Sequence, residues 1–267
     1  MLEVLSLPFM QRALVAGVLV GFLASYYGVF VVQRQLSFLG AGLAHAAFGG
    51  IALGLLLGTE PLWVAVPFTV LVALAINWVR GRTGLAGDTA VGIFFAVAVA
   101  LGVVFLFLKR EYTADAFAYL FGSILAVRGA DLWLTAAVAG MALATWPTYW
   151  GRWAYATFDR DLARADRLPV ERDDYLLSVL LAVTVVVAVK VVGIILIAAF
   201  LVIPAATARL LAPTFRAMTL GAVAIGVGSA VAGLVASYWL DVPSGATIVL
   251  VQAAVFFAGM LARRGRA

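Results

Sequence analysis

The chain has 267 residues, 65% of them hydrophobic and 12% charged, with a mean hydropathy of +1.11; this excludes a soluble domain, which is about half apolar and a quarter charged. Cysteine is absent and histidine occurs once, as His45, so disulfides, thiolate metal sites and cysteine nucleophiles are excluded, and no histidine is left over for a paired zinc site or a serine triad. The net charge of +5 does not mark a nucleic-acid binder, because the arginines stand at the ends of apolar runs and form no basic stripe.

In chain order, the segment from Met1 to Arg12 carries acidic Glu3, and no small-residue cleavage site follows its apolar run, so the first run is expected to be a retained span. Uncharged stretches lie at Ala13 to Val32, Leu36 to Gly58, Pro61 to Val79, Thr89 to Leu108, Leu132 to Gly151, Tyr175 to Val189, Val191 to Ala208, Ala217 to Leu240 and Val242 to Ala262. Most approach the length that a helix needs to cross hydrocarbon. A shorter apolar piece, Ala114 to Val127, contains Asp115 and reads as re-entrant or interfacial. The basic residues of the short loops should mark the cytoplasm. Arg34, Arg80, Arg82, Arg152 to Arg172, Arg209, Arg216 and the last arginines fit one alternation, with the C-terminus inside and the loops around Glu60 and Asp241 outside. Lys109, Arg110 and Arg128 break it, leaving two counts open: nine spans, or eight with the N-terminus inside. Gly17 and Gly21, and Gly50, Gly54 and Gly58, form GxxxG pairs that allow close helix packing.

The extended charged stretch runs from Arg152 to Asp174. Within it, Phe158 to Val170 reads as a short helix capped by Asp159, with Asp161 in its first turn, Arg164 and Arg167 in its last, and Pro169 as its stop. Phe158, Leu162, Ala165 and Pro169 share a face. Two readings stand side by side: a helix that docks into a groove of another protein, or an ordinary solvated loop helix.

Ionisable groups within spans are expensive and point to function. His45 follows Ser37 and Ala41 and precedes Gly49 at four-residue spacing, on a face of small side chains that should be interior to the bundle. A neutral imidazole there can ligate a divalent ion or hydrogen-bond a neighbouring helix. Ser229, Gly233, Ser237 and Asp241 form a second such stripe, read as packing for the serines, with Asp241 either a cation-path residue or a loop cap. Asp88 and Asp131 are expected as N-terminal helix charges, and Lys190, between two apolar runs, as a side chain snorkelling to the outer interface.

No GxxxxGK[ST] run is present, so energy for transport would come from a partner or an ion gradient. The ordered set Arg34-Gln35-Leu36-Ser37-Phe38-Leu39-Gly40 leading to His45-Ala46, Tyr119-Leu120-Phe121-Gly122-Ser123, Phe158 to Ala165, Val192 to Leu196 with Ile203-Pro204-Ala205-Ala206-Thr207-Ala208-Arg209, and Asp241-Val242-Pro243-Ser244-Gly245 resembles the permease subunits of ATP-driven (ABC) importers for zinc, manganese and related metals. The resemblance covers nearly the whole chain. It implies an all-α transmembrane bundle of eight or nine spans, like the permeases of type II ABC importers, forming one domain over residues 1–267 in the plasma (inner) membrane of a prokaryote. It also implies pairing with a second copy, with two cytoplasmic ABC ATPase subunits that consume the ATP, and with an extracytoplasmic metal-binding protein. The chain would hold no permanent cofactor; zinc or manganese would be its cargo.

By the same resemblance the Phe158 to Val170 helix couples to the ATPase, with Phe158, Asp159, Leu162, Ala163, Ala165 and Leu168 as its contact residues. His45 would be a metal ligand by that resemblance, and Asp241, from the spacing of the second stripe, is a second candidate ligand beside its reading as a loop cap. Ser37, Ala41, Gly49, Ser229, Gly233 and Ser237 would line the path or pack beside it. The family often has an aspartate four residues before its histidine, where this chain has Ala41, and a small residue or glycine where it has Asp166-Arg167. A self-sufficient proton-coupled or facilitative carrier is the alternative, but it would need intramembrane carboxylates, and the spans offer almost none. An intramembrane enzyme ranks last, since His45 has no adjacent acid or nucleophile.

Overall fold

Backbone polar groups in hydrocarbon must be satisfied within the segment itself, so long apolar runs become helices. A computed structural model describes residues 7–109, 124 and 127–264, and they contain helices and no strand. These are α1 (Pro8–Gln33), α2 (Leu39–Leu56), α3 (Pro61–Thr83), α4 (Gly87–Leu108), α5 (Gly129–Thr145), α6 (Gly151–Phe158), α7 (Arg160–Ala165), α8 (Val170–Val192), α9 (Ile194–Leu211), α10 (Phe215–Leu240) and α11 (Ser244–Arg264). Among the described residues seven helices are long and apolar enough to cross a membrane: α1, α2, α3, α4, α8, α10 and α11. Of the other apolar helices, α9 has 18 residues, and α5 continues through a π-helical turn at Trp146–Trp150 into α6. The expected piece at Ala114 to Val127 and the Tyr119 to Ser123 motif lie almost wholly outside the described residues.

α1 is the central post, packed against α5, α8, α9 and α10. A Cβ on Gly21 would stand 2.9 Å from the Gly226 carbonyl oxygen, and one on Gly28 would collide with the Leu201 carbonyl. The first GxxxG pair therefore serves α1–α10 packing within the chain. In the same way Gly50 and Gly54 admit α3, with Cβ positions 2.6 Å from Ala65 Cα and 2.8 Å from Pro61 Cα. α3 and α4 flank α2, while α11 covers α9 and α10.

Contacts at the helix ends fix the directions. Arg34 at the end of α1 bonds Asp174 at the start of α8, and Arg209 at the end of α9 reaches the Val32 carbonyl. At the opposite end Lys190 of α8 meets Asp131 of α5, and Gly245 of α11 faces Leu196 of α9. Among the described residues the helices thus alternate in direction, with α5 and α6 counted as one. The arginine-rich end is cytoplasmic by the positive-inside rule, which places the start of α1 on the outer side.

Several boundaries move. α2 starts at Leu39, three residues later than expected, because Gln35 takes a left-handed turn at φ 57°. The α8–α9 break falls at Gly193, not at Lys190: with φ 86° and ψ 161° Gly193 occupies a region open essentially to glycine alone, and this single residue joins two spans. Lys190 does not snorkel freely, since its ammonium pairs with Asp131 at 2.7 Å. The same Asp131 carboxylate also accepts a 3.0 Å bond from the Arg128 amide, as a helix-start charge does.

Candidate functional site

His45 is the seventh residue of α2, about 9 Å along the axis from the helix start at 1.5 Å per residue. Glycines set its surroundings. Gly42 meets the Val91 side chain, and a Cβ on Gly49 would lie 2.8 Å from the Ala98 carbonyl, so α4 runs parallel to α2 with Phe95 level with the histidine. The two rings are 4.5 Å apart, centroid to centroid, and tilted by 60°. His45 Nδ1 lies 2.9 Å from the Ala41 carbonyl oxygen. A carbonyl only accepts, so Nδ1 carries the proton and Nε2 holds the lone pair. Nε2 has no hydrogen-bond partner among the described residues.

The face is not wholly interior, as periodicity suggested. Gly49 is buried, Ala41 and His45 are half-buried, and Ser37 and Phe38 are exposed, so the strip opens at the surface of the single chain towards its cytoplasmic end. Among the described residues no three His, Asp or Glu side chains gather as a metal site. Asp241 sits in an exposed left-handed turn at the outer end of α10 (φ 52°), where its amide caps the helix by donating to Ser237. In the second stripe Gly233 meets Ile248 of α11, and Ser229 and Ser237 are buried, with Ser237 Oγ donating to the Val242 carbonyl at 2.6 Å.

The charged stretch is mostly helical. Asp159 caps α7 by accepting the Leu162 amide at 2.9 Å. The helix is shorter than expected: it ends at Ala165, and Pro169 caps the start of α8. Arg167 is not in its last turn but turns left-handed at φ 60°. That conformation favours glycine, so Arg167 holds it at some cost in strain. Phe158 (61% exposed) and Leu162 (49%) stand out from the bundle, and Ala165 is exposed beside them. Ala163 faces the other way, buried with Ala156 and Val170 against Tyr155 and Leu168. Tyr155 donates to Asp166 at 2.6 Å.

A charged knot ties this hairpin to the bundle, and sequence reasoning missed it. Asp174 takes Arg34 at 2.7 Å and Arg160 at 2.6 Å, while Arg34 also donates to Thr157 Oγ1 at 2.8 Å. Arg160 opens α7, and Arg34 stands at the turn into α2. Beside the knot, aromatic rings fasten the π-helical turn to α1: Tyr26 to Trp146 at 5.9 Å, Trp146 to Trp150 at 5.0 Å, and Phe30 to Trp153 at 5.6 Å. Tyr26 donates to Thr145 Oγ1 at 2.9 Å, since the Thr145 hydroxyl itself donates to the Ala142 carbonyl.

The fold and this geometry define a polytopic helical membrane protein with one imidazole lone pair in its cytoplasmic half and a short charged hairpin on its cytoplasmic face. The chain belongs to the ABC 3 transport family, whose model matches residues 6–263. It is 36% identical over 248 residues to the manganese import system permease protein ScaB of Streptococcus gordonii, covering 93% of this chain and 89% of that one. It is 32% identical over 251 residues to the high-affinity zinc uptake system membrane protein ZnuB of Haemophilus influenzae, covering 94% and 96%. Among solved structures, PsaBC from Streptococcus pneumoniae in complex with Fab superposes with a TM-score of 0.85 at 34% identity, covering 97% of this chain and 93% of that one.

Proposed function

We propose that this protein is the membrane permease subunit of an ATP-binding-cassette importer for a divalent metal ion, manganese or zinc, in a bacterial plasma membrane. The observation that carries the reading is likeness over nearly the full length to permeases named for manganese import and zinc uptake. The metal would pass the α2 strip, taken up by the lone pair of His45 Nε2. With Ala41 one turn away in place of a carboxylate, the imidazole binds weakly, which suits an ion in transit. A half-buried histidine beside exposed Ser37 is a costly face to leave against lipid; a second copy of the chain laid over it would close the path between two subunits. The exposed Phe158, Leu162 and Ala165 would meet a cytoplasmic ATPase, with Asp159, Ala163 and Leu168 shaping the helix behind them. An extracytoplasmic metal-binding protein would deliver at the outer loops that carry Glu60 and Asp241.

The test is reconstitution of the chain with its cognate ATPase in liposomes, with uptake of radioactive manganese and of zinc measured with and without ATP. ATP-dependent uptake of either metal is expected. Uptake by the chain alone, indifferent to ATP, would overturn the reading in favour of a self-sufficient carrier.

A further inference from the structure

Between α1, α3, α8 and α7 the cytoplasmic end holds two adjoining cavities of about 310 and 460 Å³, both lined by Asn77, Arg80, Arg160 and Asp174. Together their walls carry four arginines, Arg34, Arg80, Arg160 and Arg164, against two carboxylates, Asp174 and Glu171, an excess of two positive charges. Those carboxylates are taken: Asp174 by Arg34 and Arg160, Glu171 by Arg164. Arg80 is half-buried and has no ion pair or hydrogen bond among the described residues; Asp88, exposed at the start of α4, makes none with it. A half-buried guanidinium with no carboxylate paired to it is placed to take up an anion. Above the charges the first cavity turns apolar, along Leu36, Val91, Ile76, Leu177 and Leu181. Trp78, two residues from Arg80 on α3 and 57% exposed, has the place of an interfacial aromatic, which sets this cleft at headgroup depth.

We propose that the cleft is a binding site for a phosphate anion, supplied as the headgroup of an anionic phospholipid of the cytoplasmic leaflet. The phosphate would bridge Arg80 and Arg160, with the glycerol and upper acyl carbons along the apolar wall. Basic pockets between transmembrane helices on the cytoplasmic side hold headgroups in this manner. The excess charge also repels a metal cation, so this cleft is separate from the His45 strip.

The purified full-length chain is incorporated into bilayer discs of equimolar phosphatidylglycerol and phosphatidylcholine, and the lipid it retains on release is identified by native mass spectrometry. Retention of phosphatidylglycerol over phosphatidylcholine is expected. Arg80→Gln should cut that preference about fivefold, the factor one arginine contributes at an anionic surface. Arg80→Lys should keep most of it, and Arg82→Gln, the same charge change outside the cleft, should leave it intact. Equal retention of the two lipids, or equal effects of Arg80→Gln and Arg82→Gln, overturns the proposal. In a parallel arm in lipid-free detergent, millimolar inorganic phosphate is added; stabilisation lost in Arg80→Gln, without lipid preference, keeps the phosphate site and overturns the lipid as its source.

Discussion

Replacing Arg34 by glutamine removes the link between the end of α1 and the cytoplasmic hairpin. Arg34 gives Asp174 an ion pair at 2.7 Å and Thr157 a bond at 2.8 Å, with a longer contact of 3.4 Å to the Trp153 carbonyl. The two charged side chains are only 16% and 14% exposed, so water screens them little. A hydrogen bond to a charged group contributes about 1.5–3 kcal/mol and a neutral one about 1 kcal/mol. Asp174 keeps Arg160 at 2.6 Å, so no carboxylate is stranded, and the loss of about 3–5 kcal/mol that follows an orphaned buried charge is not reached. With the glutamine amide able to keep the bond to Thr157, Arg34→Gln should cost about 1.5–3 kcal/mol. The assay is unfolding in mixed micelles of the wild type, Arg34→Gln, Asp174→Asn and the double variant. A coupling of about 1–2 kcal/mol between the two positions is expected, and additivity within about 0.5 kcal/mol would refute the argument. In the reconstituted transporter the same variant should lower metal moved per ATP hydrolysed, because Asp174 is the residue that α7 and the α1–α2 turn share.

His45→Ala should reduce uptake at limiting metal on the order of tenfold, the scale on which metal sites respond to loss of a support, with assembly unchanged; uptake equal to wild type would remove the histidine from the path. Leu162→Asp places a carboxylate on the exposed face of α7 and should cost about 2 kcal/mol or more of ATPase association, as the loss of a central interface residue does; retained co-purification with normal ATPase stimulation argues against docking there. Gly28→Ala drives a methyl group into the Leu201 carbonyl and should destabilise the fold by about 1–3 kcal/mol through overpacking, read as a lower unfolding midpoint; an unchanged midpoint would mean that α1 and α9 separate freely.

What the sequence carried in plain view was periodicity and charge. Uncharged runs near span length marked the crossings, and arginines at their ends marked the cytoplasmic side, because hydrocarbon imposes both rules locally. Residues far apart in the chain carried no such mark. Lys190 and Asp131, 59 positions apart, read locally as a snorkelling lysine and a helix-start charge, and only the fold brings them together. Arg34 read as a topology signal, although its ion pair with Asp174 spans 140 positions. The π-helical turn at Trp146–Trp150 gave one cue, a proline among aromatics, and no helical period reports one extra residue in a turn. At His45, four-residue spacing identified the small face but not what lies against it: Phe95 of α4 covers one side, and the rest opens outward.

The single-residue join at Gly193 ties the position of one end of α8 directly to α9. α8 is 23 residues long, about 34 Å at 1.5 Å per residue, with this join on the outer side and its far end built into the hairpin that carries α7. A difference of about 5° in direction at the join displaces that far end by about 3 Å, by the same helical rise. With no loop to take up slack, the directions of α8 and α9 are set together at this one residue, and any side chain at position 193 would strain the join.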